Sequence, residues 1–103
     1  MTLQEKQSRF VMLIAQLIEH ATELGYQLSF GDAYRDIRVP YGHPNSTHRK
    51  RLAVDFNLYK DGIYLKKTED HKQLGEFWES IGGTWGGRFN DGNHYSLEHD
   101  GVK

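Results

Sequence analysis

This sequence predicts an α+β fold, with helices packed on one side of a small antiparallel sheet. Three observations predict it: an apolar stripe at helical spacing from Phe10 to Leu24, strict alternation from Leu52 to Tyr59, and a second helical stripe from Leu74 to Ile81.

Phe10, Ile14, Leu17, Ala21 and Leu24 recur at intervals of three and four, with Met12 and Leu13 widening the stripe, and Gly25 stands where a helix would stop. "YQLSF", Tyr26 to Phe30, alternates and reads as a short strand. Residues 31–47 hold both prolines, Pro40 and Pro44, and carry Tyr34, Arg35 and Tyr41, the composition of a functional loop. In "LAVDFNLY", Leu52, Val54, Phe56 and Leu58 face one way, and Ala53, Asp55, Asn57 and Tyr59 the other. "KDG" at 60–62 is a hairpin turn, returning through "IYL". Thr68 is placed to cap a second helix, with Glu69 and Asp70 in its first turn and Gly82-Gly83 as its stop. A glycine-rich loop, "TWGGRFNDGN", leads into a last short strand, "HYSL", and the tail from Glu98 is expected to be mobile.

At 103 residues the expectation is one domain, 1–103, with a modest core that a bound metal would help. Hydrophobic residues at 37% and charged residues at 26% exclude a disordered tail. A net charge of −1 and the lack of a basic, aromatic-interleaved groove speak against a nucleic-acid partner and a histidine-based nuclease. With no cysteine, thiolate metal sites and cysteine nucleophiles are excluded. "MTLQEKQSRF" lacks a basic segment followed by an apolar run, so no signal peptide is expected, and no stretch nears the roughly 18 apolar residues of a membrane span.

Asp55 sets the chemical question, because a carboxylate inside a strand is costly to bury unless something pairs with it. A divalent cation would do so. His48 lies seven positions earlier and His94 begins the last predicted strand. Two imidazoles and a carboxylate form a catalytic type of zinc set, three protein ligands with a fourth position open to solvent. Asp91, three residues before His94, is a candidate general base and then acid, and Arg35 a candidate for stabilising an oxyanion or holding a substrate carboxylate. Spacing leaves the bland readings open: a solvated turn histidine, an exposed strand carboxylate, a turn-forming aspartate beside Gly92, and a surface strand histidine.

"STHRKRLAVD" resembles the Ser-x-His-x-x-Gly-x-Ala-x-Asp signature of the zinc D-alanyl-D-alanine carboxypeptidase and L-alanyl-D-glutamate peptidase family. "DGNH" resembles its second signature, "AYR" at 33–35 its arginine element, and "WGG" at 85–87 also fits, all in the family's order. The resemblance implies a hedgehog/DD-peptidase-like fold and one Zn²⁺ held by His48, Asp55 and His94. It implies Asp91 as catalytic acid/base, Arg35 as transition-state stabiliser and Ser46 near the substrate. It further implies peptidoglycan stem peptide as substrate. The small size resembles single-domain phage endolysins that cut L-alanyl-D-glutamate; the D-Ala-D-Ala carboxypeptidase and a non-catalytic zinc-binding module are the alternatives. Such an enzyme is expected to be a monomer, made in the host cytoplasm and reaching the wall once the membrane is permeabilised. Arg51 stands where the signature has Gly. If that position needed positive φ arginine would be strained, so a differently built turn is expected.

Among the other singled-out residues, His43 and His99 are rival ligands expected at the surface, and His20 and His71 are expected on exposed helix positions. Trp78 belongs to the core by its spacing, whereas Trp85 could wall the substrate groove or plug the core. The Arg49-Lys50-Arg51 cluster reads as a solvated face that could also attract an anionic wall or stem peptide.

Overall fold

Thr2 starts the first helix before any apolar stripe appears. Its hydroxyl accepts from the Glu5 N–H and the Glu5 carboxylate accepts from the Thr2 N–H, a reciprocal cap that opens α1, Leu3–Glu23. The computed structural model describes residues 1–36, 38 and 46–103; Pro40, Tyr41, His43 and Pro44 lie outside the described residues. Phe10, Leu13, Leu17 and Ala21 of α1 are buried. Met12 is not part of that stripe, because one residue's rotation carries it to solvent.

The sheet is built around one strand. β2, Ala53–Lys60, pairs antiparallel with β1, Gln27–Phe30, and with β3, Ile63–Leu65. Its first residues pair with β5, His94–Ser96, which in turn pairs with β4, Thr84–Trp85. Among the described residues the result is a five-stranded antiparallel sheet and two α-helices, the α+β architecture expected. Leu52, Val54, Phe56 and Leu58 are all buried, and with Phe10 and Leu17 of α1 and Trp78 of α2, Lys72–Ser80, they form the core. Trp78 sits at its centre, edge-on to Phe10 and Tyr95, and its indole N–H reaches the Ser96 carbonyl at 3.0 Å.

The second helix begins differently from the prediction. A 3₁₀ turn at Thr68–His71 precedes α2, and the cap is Lys67, whose N–H donates to the Asp70 carboxylate. The Thr68 hydroxyl instead accepts from the Gly92 N–H, tying this turn to the loop before β5. That turn also rotates His71 inward. It is 2% exposed, and its Nδ1 shares a hydrogen bond of 2.8 Å with the Tyr95 hydroxyl, so the exposed placement is corrected. Burial holds the His71 pKa at about 4, which keeps the ring neutral and able to accept. His20 is half-buried, its ring stacked on Phe77 at 3.9 Å. The tail is not a loose end: His99 and Val102 exchange main-chain hydrogen bonds across a tight turn. No helix among the described residues is long and apolar enough to cross a membrane.

Candidate metal centre

Register places two of the three expected ligands. Asp55 and His94 are directly opposite in the β2–β5 pair, so side chains on the same face of the sheet are within reach of each other. Both turn away from the core face, as the alternation of β2 requires. The third ligand comes from the 3₁₀ turn Thr47–Lys50 ahead of β2. Ser46 caps that turn, its hydroxyl accepting from the His48 N–H, and Arg51 ends it at φ 58° and ψ 36°. The turn therefore keeps the left-handed residue that the signature glycine would supply, and the expectation of a differently built turn is corrected. Arginine occupies it with its guanidinium 4.3 Å above the Tyr34 ring.

The three ligand atoms form a near-equilateral triangle. His48 Nε2 is 3.2 Å from Asp55 Oδ1, His94 Nδ1 is 3.6 Å from the same oxygen, and the two ring nitrogens are 3.3 Å apart. Bonds of about 2.0–2.1 Å at tetrahedral angles put neighbouring donors about 3.3 Å apart, so these atoms suit one small divalent ion. Asp55 Oδ1 is buried and makes no hydrogen bond of good geometry among the described residues, a condition that a metal would relieve. Burial pushes the Asp55 carboxyl up, but the two imidazoles outweigh it and hold the pKa at about 2, so it is a carboxylate ready to ligate.

A cleft of about 470 Å³ opens over the triangle, lined by Arg35, Ser46, Phe89, Asp91, Val102 and Lys103 as well as the three ligands. The site segments are tied in by main-chain bonds: Asp55 N–H to the Asp32 carbonyl, Gly31 N–H to the Asp55 carbonyl, and Arg35 N–H to the His48 carbonyl. Arg35 also pairs with Asp32 at 3.1 Å. Asp91 Oδ2 lies 4.0 Å from His94 Nδ1 on the open side, and partial burial lifts its pKa above the usual value.

The "WGG" element has a steric reason. A Cβ on Gly86 would meet the Asp91 carbonyl and lie 2.6 Å from His94 Cβ, so only glycine lets the loop pass this close. The Gly86 carbonyl accepts from the Asp91 N–H at 2.8 Å, which sets where Asp91 stands. Of the two places open to Trp85, it takes the core. It is 3% exposed, and its indole N–H donates to the Gly92 carbonyl, so it braces the loop from behind rather than walling the cleft.

His99 lies away from the triangle, between Lys6 and Asp100, and is no rival ligand; His43 is outside the described residues. Sequence reasoning missed Phe89, whose ring stands edge-on to His94 at the cleft rim, and the return of Val102 and Lys103 to the site. Asp100-Gly101, an Asp-Gly turn pair, was the available sign of that return.

His48, Asp55 and His94, from three separate elements, stand close enough together to hold one metal ion. The sequence agrees: residues 41–97, more than half of the chain, match the family model described as D-alanyl-D-alanine carboxypeptidase, and the chain belongs to that zinc-dependent peptidase family. No curated protein matches the chain.

Proposed function

We propose that this protein is a zinc-dependent peptidase that hydrolyses an amide bond in the peptide stem of peptidoglycan, acting as a small phage endolysin on the L-alanyl-D-glutamate bond. The observation that carries the reading is the triangle of His48, Asp55 and His94 with Asp91 and Arg35 on the rim of the same cleft. Zinc held there would polarise the scissile carbonyl and make water a competent nucleophile near neutral pH.

The chain's own residues do the rest. Asp91 accepts the proton of the attacking water at its carboxylate and hands it to the leaving amine nitrogen; its raised pKa brings it closer to the range where both transfers are easy. Arg35, held by Asp32, offers its N–H groups to the developing oxyanion or to a substrate carboxylate. Ser46 secures the His48 turn from the cleft wall. The family's description favours a second reading, removal of a terminal D-alanine. As an endolysin the protein would act as a monomer, made in the host cytoplasm and meeting the wall after the membrane is permeabilised.

Mass spectrometry of muropeptides after digestion separates the readings, since a new D-glutamate N-terminus marks the endopeptidase and loss of one alanine the carboxypeptidase. Asp91→Asn should keep zinc at one ion per chain and lower turnover about 100-fold or more. Turnover unchanged with zinc retained removes Asp91 as the proton carrier.

A further inference from the structure

His94 points two nitrogens at two different things. Nδ1 faces the triangle, while Nε2 lies 2.9 Å from the main-chain oxygen of Lys103. A main-chain oxygen can only accept, so the ring must donate from Nε2. A neutral imidazole with its proton on Nε2 has a bare lone pair on Nδ1, the state a metal ligand needs.

The oxygen is held in place. His99 N–H donates to the Val102 carbonyl and Val102 N–H to the His99 carbonyl, both at 2.9 Å. Between them Asp100 and Gly101 take φ of 50° and 78°, the two left-handed positions of a tight hairpin turn. Lys6 of α1 grips the outgoing arm, its ammonium 3.2 Å from both the Glu98 carbonyl and His99 Nδ1. The hydroxyls of Thr47 and Ser96, both buried, converge on the same Lys103 oxygen at 3.2 Å. Thr47 is next to His48, and Ser96 is two residues from His94, so one oxygen links the His48 turn to β5. His48 has no such brace: its Nδ1 is buried with no hydrogen-bond partner among the described residues.

We propose that residues 99–103 form a positioning strap, in which the Lys103 main-chain oxygen fixes His94 in the tautomer that presents Nδ1 to the metal. The strap rests on the metal-site reading for its purpose, but its geometry can be tested without metal. Lys103 touches no reacting atom in this role and is a positioning residue.

The test pairs two measurements. Long-range ¹H–¹⁵N spectra of the metal-free protein at about pH 8, where a free imidazole is neutral, report which His94 nitrogen carries the proton. The strap requires Nε2, and a proton on Nδ1 overturns it. Zinc affinity by chelator competition then compares wild type with Val102→Pro, which removes the N–H that closes the turn, and with Lys103→Ala, which keeps the main-chain oxygen. Val102→Pro should weaken zinc about 10- to 100-fold, the loss typical of an outer hydrogen-bond partner, and Lys103→Ala should leave it unchanged. A folded Val102→Pro protein with wild-type zinc affinity overturns the proposal. Should that variant fail to fold, the wild-type tautomer decides alone. Wild-type protein that binds no zinc overturns the metal reading, while a proton on Nε2 would still uphold the strap's hold on His94.

Discussion

Gly75 sits inside α2, where helix propensity alone recommends alanine, so Gly75→Ala opposes two physical effects of different sign. Propensity favours the substitution by about 1 kcal/mol. The structure opposes it, because a Cβ on Gly75 would fall well inside contact distance of the Trp85 ring, striking Cδ2, Cε2 and Cγ together. Carbon atoms pack at about 3.5–4.0 Å, so helix and indole must part by more than about 1 Å. Trp85 cannot yield freely, being 3% exposed with its N–H 2.7 Å from the Gly92 carbonyl. Overpacking costs about 1–3 kcal/mol, and a broken buried hydrogen bond about 1–3 more. Against the propensity gain of about 1, a net loss of about 1–5 kcal/mol follows, centred near about 3. Urea denaturation should show it as a lower midpoint at unchanged slope, and thermal melting as a fall on the order of 10–20 °C. The site should feel it too, because Gly92 stands next to Asp91 and the displaced indole pulls on that loop. A gain of about 1 kcal/mol would refute the reasoning, since it would mean that the Trp85 contact does not constrain α2.

Two further perturbations test the buried histidine and the left-handed turn. His71 has a pKa of about 4 folded against about 6.5 unfolded, so the unfolded chain takes up the proton first as pH falls. Its contribution is whole above about pH 6.5 and is lost between about 6.5 and 4, up to about 3 kcal/mol. His71→Asn, which still offers Tyr95 a partner, should flatten that slope in metal-free protein. Asp55, held at about 2, adds its own loss only below about pH 4, so the windows separate. Arg51→Gly relieves about 1–2 kcal/mol of left-handed strain. It gives back about 0.4–1 through the freer unfolded chain and about 0.5–1 through the lost stacking on Tyr34. Urea midpoints should therefore move by less than about 1 kcal/mol, and a loss above about 2 would show that arginine does more than tolerate the turn.

Periodicity alone determined the helices, the central strand and the direction in which Asp55 faces, because burial imposes its period on the residues that supply it. The three side chains that meet at the candidate metal centre were also legible, since "STHRKRLAVD" and "DGNH" carry them at spacings that resemble a known family's pattern. Tertiary structure decided the rest. The pairing of Asp55 opposite His94 depends on a register that neither segment encodes alone. His71 is buried because Thr68 is engaged by Gly92, 24 residues away, and the cap moves to Lys67. Trp85 fills the core because Gly75 leaves room for it, and Lys103 reaches His94 because a turn at Asp100-Gly101 is gripped by Lys6. Each of these depends on a partner distant in sequence, which a local pattern does not record.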